Sequence, residues 1–341
     1  ELRLSASIGL GVLLLIGGHL LGIALGRSIA GRRPDAPRRE ADPSTAARLF
    51  GAVANVVASA LVITLVAGSV AQLGVPVLSQ AVNRSVVIGT IDRLTPGPVA
   101  EGLARVRSAI FEQGLPTIDE ALGGIAASQD PPDVDTASDP LAAAARSVAR
   151  INGTAFACGQ NQTGSGFVVA PERVVTNAHV VAGVSQPIVE LPDGQVLDAR
   201  VVWFDGDTDI AILAVDGLDA RPLALADAAI GEDAVVDGYP HGGPFTSAPA
   251  KVLAISDERV ADIYGESWST REVATIAAQV QPGNSGGPLI TLDGRVAGVV
   301  FARNSAHDNL GYATTVGQLA QLFGDAASLT TPVDPGRCVA G

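Results

Sequence analysis

Cysteine, histidine and methionine are scarce in this chain of 341 residues, which has two cysteines, four histidines and no methionine. These cysteines and histidines are scattered and lack the short spacing of zinc sites, so no metal or other cofactor is predicted. The net charge of −13 repels phosphate backbones, and no nucleic-acid partner is expected. Because the chain begins at Glu1 and lacks methionine, we expect an upstream part to be missing.

Charged residues are also few, at 17% of the chain against 47% hydrophobic residues. This balance is more apolar than a soluble domain needs. Two runs, at about residues 4–26 and 49–71, carry no charge apart from the titratable His19 and are long enough for membrane-spanning helices. The sequence therefore predicts a membrane region over residues 1–83, in contact with lipid.

The loop between these two runs is rich in arginine. It contains six arginines and three acidic residues. By the positive-inside rule this loop is cytoplasmic. We therefore expect everything after the second run to lie in the periplasm or another extracytoplasmic space.

The segment Gly283-Asn284-Ser285-Gly286-Gly287-Pro288 has the composition of an acyl-transfer loop. Small residues let the backbone turn so that the N–H groups of Gly283 and Ser285 converge on one oxygen. Ser285 is then a candidate nucleophile. The alternative is an ordinary glycine-rich loop.

A serine nucleophile needs a base and a carboxylate that orients the base. His179 follows a predicted strand at residues 174–176 and is the candidate base. Asp209 directly precedes Ile210, where an apolar strand begins, and a carboxylate entering a buried strand must find a partner. Asp205 and Asp207 remain alternatives for the acid.

The chain order His179, Asp209, Ser285 is that of the chymotrypsin fold. Residues 140–341 resemble the trypsin-like serine proteases, and residues 176–180, 207–213 and 282–289 resemble their HtrA-type branch. The resemblance implies an all-β fold of two β-barrels that cuts proteins or peptides. His179 would be the general base, Asp209 its orienting acid and Ser285 the nucleophile, while Gly283 and Ser285 would donate the oxyanion hole.

The same resemblance implies a substrate pocket. Gln279, six residues before the nucleophile, would lie at its base, and a neutral base argues against a demand for Arg or Lys. Ala302, Arg303 and Asn304 would form a wall, and Tyr312 would narrow the far end. The alternative is that Gln279 only forms hydrogen bonds with the barrel.

The membrane region resembles the later helices of colicin V production-type membrane domains. The short arginine-rich loop and residues 48–53 carry this resemblance. Joined to a trypsin-like domain, the whole resembles the acid-resistance membrane proteases of mycobacteria, which implies a role in acid or oxidative stress resistance. A function of another class is a membrane scaffold or transporter-like protein whose protease-like domain is inactive and only binds partners.

Residues 84–139 connect the two parts. Pro96 and Pro98 start a pattern with Val99, Leu103, Val106 and Ile110 that predicts an amphipathic helix outside the membrane. Residues 129–135 are acidic and proline-rich, which predicts a flexible linker. Asp139 and Pro140 predict the cap and first residue of a short helix. We expect autocleavage between residues 100 and 140.

The rest of the chain alternates short β-branched segments with turns. Strands are predicted at residues 167–170, 174–176, 188–191, 196–203 and 210–215, and a helix is predicted at residues 316–323. In an oxidising compartment Cys158 and Cys338 are expected to form a disulfide that ties the ends of this domain together. The alternative is two unpaired thiols.

Overall fold

The computed structural model describes residues 85–110, 115–118, 122, 129–158 and 160–339, together with 51, 56, 59, 60 and 63. The first predicted membrane run lies outside the described residues, and the five isolated residues of the second are helical. In the described part of the chain, no helix is both long and apolar enough to cross a membrane.

The chain divides into two units, Glu1–Thr95 and Pro96–Gly341. The first unit contains the helix α1 (Val86–Leu94). The second begins with α2 (Gly97–Ile110), the short strand β1 (Thr117–Ile118) and α3 (Asp139–Ala145). The predicted amphipathic helix is therefore present as α2. The cap of α3 is Ser138 and not Asp139, which is its first helical residue.

A first seven-stranded sheet follows α3. It consists of β2 (Val148–Ala155), β3 (Gln160–Ala170), β4 (Arg173–Thr176), β5 (Ile188–Glu190), β6 (Val196–Asp198), β7 (Arg200–Asp205) and β8 (Ile210–Ala214). A short helix, α4 (Ala178–Val181), lies between β4 and β5. The strand order is β6-β5-β2-β3-β4-β8-β7 and every pair is antiparallel. Its core includes Ile151, Val168 and Leu213.

A second seven-stranded sheet includes β1. Its other strands are β9 (Asp233–Gly238), β10 (Thr246–Ala261), β11 (Trp268–Ala277), β12 (Pro288–Thr291), β13 (Val296–Asn304) and β14 (Leu310–Thr315). The order is β1-β13-β12-β9-β10-β11-β14, and β13 also pairs with β14. That last pairing closes strands β9–β14 into a six-stranded antiparallel barrel.

The two sheets share an apolar interface that is completed by the C-terminal helix α5 (Val316–Asp325). Phe167 and Ile212 of the first sheet belong to the same buried cluster as Val299 of the second and Phe323 of α5. The rings of Phe167 and Phe323 meet edge to face, 6.1 Å apart. The predicted C-terminal helix is therefore present, and it fixes one sheet against the other.

The connecting segment, predicted as a helix followed by a flexible linker at residues 129–135, is partly packed. Ala104, Leu115 and Leu122 are buried. Residues 129–135 form neither helix nor strand, yet Val134 packs against a buried cluster. Asn309 also donates a hydrogen bond to Asp130. These residues are therefore packed within the second unit, which the acidic and proline-rich composition of residues 129–135 did not indicate.

Candidate active site

His179 and Asp209 meet at one end of the paired strands β4 and β8. β4 ends at Thr176, and α4, which carries His179, begins two residues later; β8 begins directly after Asp209. The His179 Nδ1 atom lies 2.8 Å from Asp209 Oδ2, and the backbone N–H of His179 donates to Oδ1 at 2.9 Å. One carboxylate therefore holds both the imidazole ring and the backbone that carries it.

The backbone of Asp209 is itself fixed. Its φ of 58° is in the left-handed region, which costs a non-glycine residue energy and persists only where neighbours impose it. Asn177 Nδ2 donates to the Asp209 carbonyl oxygen at 2.7 Å. Asp209 is 3% exposed, so its charge must be satisfied inside the protein.

Arg271 supplies positive charge near Asp209 and was not predicted from the sequence. It is 2% exposed and donates to the carbonyl oxygens of Thr208 and Ala261 at 3.0 and 2.8 Å. Burial lowers the pKa of the Arg271 guanidinium, and the negative charge of Asp209 opposes that shift. A buried guanidinium stays protonated, so it stabilises the Asp209 carboxylate.

The alternative acids face elsewhere. Asp205 accepts hydrogen bonds from the backbone N–H groups of Asp207 and Thr208 and from the Thr208 hydroxyl. Asp207 accepts from the Ser267 hydroxyl. These contacts are those of a loop carboxylate, so the geometry agrees with Asp209 as the partner of His179.

Ser285 lies on a turn that packs against the segment leading to His179. Its carbonyl oxygen accepts from Ser165 N–H, and Gly286 N–H donates to Val300 O, both at 2.8 Å. A Cβ atom on Gly286 would lie 2.8 Å from the backbone nitrogen of Asn177, too close for any side chain. The Ser285 hydroxyl makes no hydrogen bond to His179 here, although catalytic contacts often tighten only when substrate binds.

The backbone N–H groups of Gly283 and Ser285 are the candidate donors for an oxyanion. Pro282 O accepts a hydrogen bond from His241 N–H. Because the peptide is trans, the N–H of Gly283 points away from His241. Neither the Gly283 nor the Ser285 N–H has an acceptor among the residues that the structure describes. Two unpaired donors in one turn suit an anionic oxygen.

Two further residues hold this turn and were missed by sequence reasoning. The buried Ser165 hydroxyl donates to Gly283 O at 2.7 Å and accepts from Tyr239 N–H at 2.9 Å. His241 has a left-handed φ of 56°, which directs its N–H at Pro282. Burial lowers the pKa of the His241 ring, as do the nearby Arg105 and Arg303 to a smaller extent, while a hydrogen bond with Gln281 opposes the shift. No motif in the sequence marks either residue.

The residues assigned to the substrate pocket have different environments. Gln279 is exposed, between the buried residues Ala278 and Val280. Ala302 is buried and Arg303 half-buried. Asn304 and Tyr312 are buried, and Asn304 Nδ2 donates to the Tyr312 hydroxyl at 3.1 Å.

Cys158 and Cys338 form a disulfide across a sequence separation of 180 residues, with their Cα atoms 6.5 Å apart. Cys338 packs against the core of the first sheet. Gly183 has a left-handed φ of 73°, and a Cβ atom there would approach Cys338 Sγ to 2.9 Å. The bond therefore ties the C-terminal segment to the sheet that carries His179 and Asp209.

The chain shares this fold and extensive sequence with known proteases. The trypsin-like peptidase domain model matches residues 164–299. Over 272 residues the chain is 39% identical to the serine protease Rv3671c of Mycobacterium tuberculosis H37Rv, covering 77% of this chain and 67% of that protein. The chain belongs to the trypsin-like serine protease family. The protease is accordingly a serine endopeptidase with a chymotrypsin-like all-β fold.

One solved structure and a second sequence relative support the same family assignment. The crystal structure of the active form of the Rv3671c protease matches with a TM-score of 0.60 and 40% identity, over 62% of this chain and 94% of that one. A probable periplasmic DegP-like serine endoprotease of Halomonas elongata is 35% identical over 160 residues, which span 45% of this chain and 32% of that protein.

Proposed function

We propose that His179, Asp209 and Ser285 act as a catalytic triad, with Gly283 and Ser285 donating the oxyanion hole. The observation that carries this proposal is the 2.8 Å contact between His179 Nδ1 and Asp209 Oδ2, beside a serine turn with two unpaired N–H groups. With Nδ1–H donated to Asp209, the other ring nitrogen of His179 is the acceptor that a serine nucleophile needs.

Peptide hydrolysis follows in two half-reactions. Ser285 Oγ attacks the scissile carbonyl carbon as its proton moves to His179 Nε2, and the carbonyl oxygen becomes an anion held by the two N–H groups. Collapse breaks the C–N bond, and the leaving amine takes the proton from His179. Water then attacks the acyl-enzyme with the same base, which releases the acid and restores Ser285.

The membrane region, residues 1–83, is proposed to anchor the protease with its catalytic domain, residues 140–341, outside the cytoplasm. The two uncharged runs and the arginine-rich loop support this topology. The match to Rv3671c covers 77% of the chain, more than residues 140–341 supply, so it includes residues before the catalytic domain. The DegP-like relative is named as periplasmic.

A role in acid or oxidative stress resistance is proposed from the resemblance to mycobacterial acid-resistance membrane proteases. The membrane region is likewise proposed to be of the colicin V production type. The substrates are proteins or peptides outside the cytoplasm. Pocket roles for Gln279, the wall at residues 302–304 and Tyr312 remain proposals, as does cleavage of the segment 100–140 by the protease itself.

A fluorophosphonate probe tests the triad. Wild type should be labelled and hydrolyse peptides, while Ser285→Ala should do neither; the Asp205→Asn variant is a matched control that should retain labelling. If wild type resists labelling under both oxidising and reducing conditions, the alternative of an inactive scaffold domain is correct. If Ser285→Ala shortens its own segment 100–140 as fast as wild type, another protease makes that cut.

A further inference from the structure

The short strand β1 lies on the edge of β13, in parallel orientation. Thr117 and Ile118 pair with Arg303 and Asn304. The Arg303 N–H donates to Pro116 O at 3.1 Å, and the Ser305 N–H donates to Ile118 O at 3.2 Å. The Asn304 side chain adds a bond from Nδ2 to Ile118 O at 3.1 Å. A segment from before the catalytic domain thus takes up the main-chain donors of this edge.

This edge continues directly from the nucleophile turn. On one side of β13, β14 pairs as far as Arg303. On the other side, β12 begins only at Pro288, opposite Val299, because the turn with Ser285 precedes it. Gly286 N–H donates to Val300 O at 2.8 Å. Beyond Val300, β13 therefore presents an edge that starts beside Ser285, and β1 covers it.

An extended substrate needs the same donors. Proteins bind extended peptides by adding them as a strand to an open sheet edge. A peptide whose scissile carbonyl lies at Ser285 has its neighbouring residues alongside β13. We infer that residues 115–118 are an internal inhibitory segment that competes with substrate for the β13 edge. The inference rests on the proposed function, since it takes Ser285 as the nucleophile.

Apolar side chains anchor the inhibitory segment. Leu115 is 7% exposed and belongs to the cluster that contains Ala278, Val280 and Val300. Ile118 and the nearby Leu122 join a second cluster, with Phe301, Ala302 and Tyr312. Apolar packing therefore holds the segment at both of its ends. Leu115 shares its cluster with Ala278 and Val280, the chain neighbours of Gln279, so its place suits an apolar side chain of a substrate.

The pairing is short enough to be displaced. Only two residues pair with β13, whereas strands in proteins usually have about five or six. The competition is intramolecular, so the covalent connection sets a high effective concentration of the segment at the edge. A cut between residue 118 and the catalytic domain removes that connection and opens the edge to peptides. Cleavage within residues 119–140 would then activate the protease.

Two probes of different length test this inference on the full chain. A small fluorophosphonate reports Ser285 alone, and a tetrapeptide chloromethyl ketone ending in leucine also needs the β13 edge. Leu115→Asp places a charge in a buried apolar site and expels the segment. Loss of one buried leucine should speed labelling by the peptide probe about tenfold, with little change for the small probe. Thr117→Asp, an exposed position on the same strand, should label like wild type with both.

The outcomes are distinguishable. Failure of wild type to react with either probe rejects the proposed function. Equal acceleration by both probes, or none with a folded Leu115→Asp protein, rejects the inhibitory segment. If Leu115→Asp does not fold, wild type decides by hydrogen exchange: residues 115–118 should exchange faster after labelling with the peptide probe than after the small probe. Equal exchange in the two labelled forms rejects the inference.

Discussion

The carboxyl group of Asp237 makes stability depend on pH. Asp237 lies on β9, fully buried, opposite Ser247 on β10. Neither of its carboxylate oxygens has a hydrogen-bond partner among the residues described. Burial raises its pKa to about 7, and the nearby Ser247 opposes the shift only in part. Replacing Asp237 by asparagine keeps the shape and removes the titration.

The magnitude follows from linkage. The shift from the ordinary value of 3.8 to about 7 is about three pH units, or about 4 kcal/mol at 1.36 kcal/mol per unit, an upper limit since local relaxation screens a buried charge. The pKa of Asp237 in the folded state lies above its unfolded value. Its contribution to stability is therefore fully present below the unfolded pKa and is lost as the pH rises to the folded pKa. The free energy of unfolding of wild type, relative to that of Asp237→Asn, should therefore fall by up to about 1.4 kcal/mol per pH unit between about pH 4 and 7. Above about pH 7 it should fall no further.

Chemical denaturation at several pH values measures this difference. Both proteins should carry Ser285→Ala, which prevents self-digestion during the experiment. Asp233→Asn is the matched control, because Asp233 is on the same strand but partly exposed beside Lys251. If the difference in unfolding free energy between wild type and Asp237→Asn stays constant from about pH 4 to 8, the reasoning is refuted. Since β9 leads into Tyr239, which contacts Ser165, acid would stabilise a strand next to the candidate site.

Three further predictions concern the site and the disulfide. Asp209→Asn should lower kcat by about 10⁴-fold while Asp207→Asn should not; steady-state peptide hydrolysis measures both, and equal losses would contradict the assignment of the acid. Gly283→Ala should lower kcat by at least about 10²-fold, because its Cβ atom would lie 2.3 Å from Tyr239 O; unchanged kcat would show that this turn does not hold the oxyanion. Reduction of Cys158–Cys338 should destabilise the protein, by about 5 kcal/mol at most in the chain-entropy model; equal melting temperatures with and without reductant would exclude a structural role.

Local patterns were sufficient for the elements around the candidate site. The predicted strand at residues 174–176 is β4, and the one at 210–215 is β8, one residue shorter. The strand predicted over 196–203 is two strands, β6 and β7, which meet at Ala199. β6 pairs with β5 and β7 pairs with β8. A run of β-branched residues contains no signal for the point at which the chain changes its pairing strand, so periodicity alone did not show the break.

The sequence by itself determined the family, the chain order of His179, Asp209 and Ser285, and the cysteine pair. Those signals are local: a glycine-rich turn and polar residues at the ends of apolar strands. Only the tertiary structure decided what surrounds them. Ser165 reaches Gly283 across 118 residues, and Arg271 reaches Thr208 across 63. β1 reaches β13 from before the catalytic domain. Such contacts form because folding buries these groups together, and the residues next to them in the chain carry no sign of that burial.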